Sequence, residues 1–208
     1  MSKPVVYGAD YSVYVRIVRL VLEEKGVDYE LVPVDIFAAD GIPAWYFDHH
    51  PFGRIPAFEH DGFRLYETSS IARYVDEAFG GPALQPVKAR PRATMNQIIG
   101  MLDAYGYQAM VWDVAVERLE KEAPDEALIA AELGQAATVL RVMTSLKAAG
   151  PWLLGEQLTL ADLHAAPIIG YFLKVAEGQK LLAEFPGIRD WWERIAARPS
   201  FANTEKSG

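Results

Sequence analysis

The chain has 208 residues, 51% of them hydrophobic and 12% aromatic, with 28 acidic side chains against 20 basic ones and a net charge of −8. That much apolar mass marks a globular chain of one large domain or two small ones, whereas the acidic balance and scattered Lys and Arg argue against nucleic acid as a partner. The absence of cysteine excludes disulfides, thiolate metal sites and a protein thiol as nucleophile or redox centre.

The opening "MSKPVVYGAD" has no apolar segment behind a basic start. The longest apolar run, near "HAAPIIGYFLKVA", is broken by Pro167 and too short to span a bilayer. A cytoplasmic location and no membrane partner are therefore expected. "PVVY", residues 4–7, reads as a short buried strand. After it, Val15, Val18 and Leu22 recur at helical spacing, with Arg16, Arg19 and Glu23 on another face and Gly26 placed to end the helix. "YELVPVDI" reads as a second strand, so the first three elements imply a right-handed parallel crossover. "RIPAFEHDGFRLYE" holds two apolar segments around Asp61-Gly62, a strong hairpin signal, and residues 68–79 carry a helical stripe through Ile71, Tyr74, Val75 and Ala78.

"GGPALQPVKARPRA" reads as a linker, and everything beyond it reads as helix. Residues 97–122 have helical periodicity around Ile98, Met101, Leu102 and Tyr105. Pro124-Asp125-Glu126 opens a further helix with Pro at its first position, and "LTLADL" opens another, with Thr159 as cap and Asp162 completing a capping box. The expected division is 1–80, a linker 81–90, and an all-helical region 91–208.

A β-α-β, β-β-α half followed by an all-helical half resembles the cytosolic glutathione transferases, in which an α/β thioredoxin-like domain precedes a helical one. "PFGRIPAF", "LYETSSIARYV" and "LTLADL" carry the resemblance over nearly the whole chain. The opening "YGADYSVYVRIV" looks most like the serine-dependent phi and theta types and many bacterial relatives. The resemblance implies glutathione as co-substrate, a homodimer, an apolar electrophile as second substrate, a role in detoxification, and no metal. It makes Ser12 the donor to the glutathione sulfur, helped by the positive end of the helix that it begins. Ile55-Pro56 matches the cis-proline whose preceding main chain pairs with the cysteinyl part. Glu67 and Thr68 match the pair that holds the γ-glutamyl end.

Alternatives stand beside these assignments. Ser12 is also a plain helix cap, and Tyr11 or Tyr14 can supply a hydroxyl instead, so Tyr11 is kept among the glutathione-binding residues. Thr68 and Ser69 can simply cap a helix. Gly41 and Ile42 stand where serine-class relatives often carry His and Lys for the glycine carboxylate, and Arg54, where Gln is common, can replace that anchor in part. Tyr105 and Trp112 lie seven apart, hence on one face of an α-helix with Gln108 nearby, and together form the expected hydrophobic-substrate side. Phe52 is either a core residue or an aromatic knob for a partner subunit. His49, His50, His60 and His164 have no metal-ligand spacing. The function expected is transfer of ionised glutathione to an apolar electrophile. The alternatives are a non-catalytic glutathione- or protein-binding member of the fold and a peroxidase using the bound thiolate.

Overall fold

The computed structural model describes residues 2–205. The chain forms two compact units, one running to Ala83 and resuming at Pro199, the other spanning Leu84–Arg198.

The first unit is built on a four-stranded mixed sheet. Strands β1 (Val5–Tyr7), β2 (Glu30–Val32), β3 (Ala57–His60) and β4 (Phe63–Tyr66) lie in the order β2-β1-β3-β4. β1 and β2 are parallel and joined through helix α1 (Val13–Lys25), and β3 pairs antiparallel with both neighbours. Asp61 and Gly62, both at positive φ, make the two-residue hairpin. Helix α2 (Thr68–Ala78) follows β4, and a 3-10 turn occupies Ala44–Asp48. This is the thioredoxin-like arrangement that the element order implied. α1 buries Val15, Val18 and Leu22 and ends at Gly26 in the left-handed conformation, where the next amide, of Val27, donates to the Leu22 carbonyl. Lys25, nearly buried, is held by Asp76 at 3.0 Å and by the carbonyls of Asp76 and Pro82.

The polar face of α1 is not left to solvent. Residues 199–205, including the short helix Pro199–Asn203, pack on it. Arg16 lies 3.9 Å over the Phe201 ring and donates to the Phe201 carbonyl, and Arg19 donates to the Thr204 carbonyl. Asn203 donates to Glu23 and Ser200 to Glu24. The helical region expected over 91–208 thus takes in a segment whose partners lie on α1. A face carrying two cations and two acids at helical spacing reads as solvated, but it serves equally well as a receptor for a polar strap.

The second unit is helical throughout. It contains α3 (Ala89–Met101), α4 (Glu117–Glu120), α5 (Glu126–Leu146), α6 (Leu160–Phe172), α7 (Ala176–Ala183) and α8 (Pro186–Ala196). Between α3 and α4 the backbone runs as π-helix over Leu102–Gly106 and Gln108–Val116. α5 begins at Asp125, whose carboxylate accepts from the amides of Ala127 and Leu128. Pro124 therefore precedes the cap instead of occupying the first helical position, because the Asp side chain is the better partner for the open amides. By length and apolarity α5 is also long enough to cross a bilayer, a test that core helices of globular proteins pass too. The second unit is centred on Asp162, fully buried near the start of α6. Its carboxylate accepts from the amides of Leu153 and Thr159, the Thr159 hydroxyl and the Trp191 indole, all at 2.8–2.9 Å.

Candidate active site

The register of the sheet gathers the site. Tyr7 pairs with Val32 on one side and Ala57 on the other, and Ala57 pairs with Tyr66. The residues just beyond this row are Gly8–Ser12, the loop from Pro33, Ile55-Pro56 and Glu67-Thr68. They all leave from one end of the sheet, so segments scattered over sixty positions meet without any long side chain having to reach.

Ser12 caps α1 with extended backbone, φ −74° and ψ 126°, and accepts a long 3.4 Å bond from the Val15 amide. It is half-buried, and its own O–H has no acceptor among the described residues. The approach of β1 to α1 is set by Gly8, where a Cβ would stand 2.4 Å from a Val15 methyl. The Tyr11 hydroxyl is committed elsewhere. It donates to Asp35 at 2.7 Å, and burial together with that carboxylate pushes the phenol well above its usual range. Of the hydroxyls weighed for the sulfur, Ser12 thus offers an available donor and Tyr11 does not.

The Ile55-Pro56 bond is cis and both residues are buried. The Ile55 main chain makes no hydrogen bond among the described residues. Arg54 is exposed, and its guanidinium has no ion-pair partner among the described residues, unlike Arg64 and Arg118, which are paired with Glu59 and Glu126. Glu67 sits at φ 70° and ψ 110°, a conformation that costs a non-glycine residue on the order of 1–3 kcal/mol and tends to be kept where a site requires it. Its carboxylate is exposed. Thr68 lies at the first position inside α2, not at the cap, and the helix has no side-chain cap. The amides of Thr68 and Ser69 are thus open for an anion at the positive end of α2.

Beneath these groups lies a residue that the motif reading passed over. His50 is 3% exposed with Nδ1 unpartnered, and burial lowers its pKa, with Glu67 pulling the other way and Arg54 adding to the fall. Only its place beside "PFGRIP" hinted at a role. Gly41 is exposed at φ 81°, and no Lys or Arg occurs between Pro33 and Gly53.

On the helical side, Tyr105 is 58% exposed, Trp112 is half-buried and Gln108 is exposed. The shared face inferred from their spacing assumed α geometry. Here the Tyr107 amide reaches back five positions to the Leu102 carbonyl, while the φ of −64° and ψ of −47° at Tyr107 remain those of an α-helix. Gln108 meets Asp113, five positions on, at 2.8 Å. Phe52 is 71% exposed, so it is not a core residue of this chain.

The glutathione S-transferase N-terminal domain family matches residues 6–83, and the C-terminal domain family matches residues 106–199. The chain is 30% identical over 201 residues to glutathione S-transferase F13 of Arabidopsis thaliana, covering 94% of this chain and 91% of that protein. It is likewise 30% identical over 202 residues to glutathione S-transferase 3 of Zea mays, covering 95% and 91%. The structure of a glutathione S-transferase III in apo form superposes with a TM-score of 0.84 at 32% identity, covering 98% of this chain and 95% of that one. With its thioredoxin-like unit, its helical unit and these relatives along nearly its full length, the chain belongs to the glutathione S-transferase family.

Proposed function

We propose that the protein is a glutathione transferase of the serine-dependent type, in which Ser12 stabilises the thiolate of bound glutathione for attack on an apolar electrophile. The observation that carries this reading is the Ser12 O–H, which has no acceptor among the described residues at the positive end of α1, while the neighbouring Tyr11 phenol is held by Asp35. A free thiol of pKa about 8.5 is largely protonated at neutral pH, and a donor plus a helix N-terminus lowers that value. The thiolate then forms the S–C bond as the leaving group departs with its electron pair, or as an activated double bond takes up the pair and then a proton. Holding both reactants together supplies the rest of the acceleration.

The rest of the site fits the tripeptide. Glu67 takes the ammonium of the γ-glutamyl end, and the open amides at the start of α2, with Thr68, take its α-carboxylate. The Ile55 main chain, ahead of Pro56, pairs with the cysteinyl amide. Arg54, without an ion-pair partner among the described residues, takes the glycine carboxylate in place of a basic residue near Gly41. Tyr105, Gln108 and Trp112 are the proposed contacts for the electrophile, and the exposed Phe52 the contact for a second subunit of a homodimer. Residues up to about 80 would bind glutathione.

The test is the ultraviolet absorbance of bound thiolate, titrated over pH in the wild type and in Ser12→Ala, beside turnover of an aryl halide. A thiol pKa well below that of free glutathione, raised in Ser12→Ala with a parallel fall in turnover, is expected. The stretch without Lys or Arg around Gly41 favours, as a second reading, a member that binds without chemistry. Saturable binding with no thiolate signal and no product would select it.

A further inference from the structure

The loops after the two parallel strands run side by side. The Gly8 amide donates to the Val32 carbonyl at 3.0 Å, and the Val34 amide donates back to the Gly8 carbonyl at 3.3 Å. The main chains then part, with Ser12 four residues further along one loop. What rejoins them is a side-chain bond, from the Tyr11 hydroxyl to Asp35 Oδ1 at 2.7 Å. The same carboxylate oxygen accepts from the Phe37 amide at 2.9 Å, which fixes Asp35 in its own turn, and the Phe37 ring lies 6.1 Å from that of Tyr11. Ser12 itself is tied by its amide to the Ala9 carbonyl at 3.1 Å and by its carbonyl to the Arg16 amide at 2.9 Å, both within its own segment and neither reaching the second loop.

We propose that Tyr11 and Asp35 form a staple that positions Ser12, so that Tyr11 serves the reaction through the placement of Ser12 and not by touching the sulfur. The proposal rests on the reading of Ser12 as thiolate donor. The residue before a cap sets the direction in which the cap's hydroxyl projects, and a donor gains effect only when held where charge develops. Asp35 suits this task better than a neutral acceptor. It is stably ionised, its carboxyl held below the usual range by the bonds from Tyr11 and Phe37, and a charged acceptor makes the stronger bond. The bond also fastens the loop that carries Gly41 to the loop that carries Ser12. Loosening it therefore disturbs glutathione binding as well as ionisation.

A double-mutant cycle tests the staple, with the pKa of the bound thiol and KM for glutathione as readouts. Tyr11→Phe and Asp35→Ala are each expected to raise KM about threefold to tenfold, the loss of one hydrogen bond's net contribution. Each should also raise the thiol pKa by less than Ser12→Ala does. Asp35→Asn, which keeps an acceptor oxygen, is expected to restore most of both. Added to Ser12→Ala, Tyr11→Phe should move the thiol pKa no further. If Tyr11→Phe shifts the pKa as much without Ser12 as with it, Tyr11 acts on the sulfur directly and the staple is refuted. It is refuted too if Tyr11→Phe and Asp35→Ala change neither readout while Ser12→Ala still does, an outcome that leaves the Ser12 reading standing. A Ser12→Ala protein with an unshifted thiol pKa overturns both.

Discussion

Among the described residues two helices are capped by a hydroxyl residue, and they use it in opposite ways. At α6, Thr159 is 4% exposed and bonded to Asp162, which is itself satisfied by four donors. At α1, the Ser12 hydroxyl receives a long bond from the Val15 amide and its proton has no acceptor among the described residues. The same capping signature therefore marks a structural hub in one place and a candidate reaction centre in the other. What separates them is saturation: a cap whose every bond is made inside the protein has nothing left for a ligand.

The sharpest way to break the comparison is at Asp162. Replacing it with Ala leaves four buried donors without an acceptor and should destabilise the fold by about 3–5 kcal/mol, read from urea denaturation. Ser12→Ala should do the reverse, with turnover falling about 100-fold, the scale of a lost donor to developing charge. Its stability should fall by only about 0.5–1 kcal/mol, the cost of a cap. If Ser12→Ala unfolds the protein as Asp162→Ala does, the contrast fails. Arg16→Ala separates the stability of α1 from its chemistry. Losing the ring contact and the bond to Phe201 should cost about 1–2 kcal/mol and leave the thiol pKa where it was.

The smallest effect expected is the pH dependence contributed by His50. Because burial depresses its folded-state pKa below the ordinary value of 6.5, the unfolded chain binds more protons in the window just under that value. Stability from His50 is thus complete above about pH 6.5 and is lost as pH falls through the depressed value. Denaturation midpoints measured across this range should slope less in His50→Asn than in the wild type. An unchanged slope would show that the imidazole is not held neutral.

What was legible in the sequence was local. Gly26, Asp61-Gly62, Thr159 with Asp162, and the apolar spacing of α1 each state their geometry within a few residues, and the sheet follows from them. The candidate site was legible only as motifs resembling those of a family, and strand register places the ends of those motifs in one row. Three features were not. The π-helix over Leu102–Val116 is a choice of hydrogen-bond partner along the backbone, and the apolar spacing there is compatible with either helix. The bond from Tyr11 to Asp35 joins positions 24 apart with no periodic pattern between them. The strap meets the polar face of α1 through hydrogen bonds and the Phe201 ring beneath Arg16, and such contacts leave no hydropathy period in α1.

That strap bears on how the protein is made. Synthesis delivers β1, α1 and the rest of the sheet well before Phe201 and Thr204, which cover Arg16 and Arg19. The first unit can collapse on the apolar side of α1 as soon as α2 has emerged. Its other side waits for more than a hundred further residues, so the surface of α1 is completed only by a segment far away in sequence.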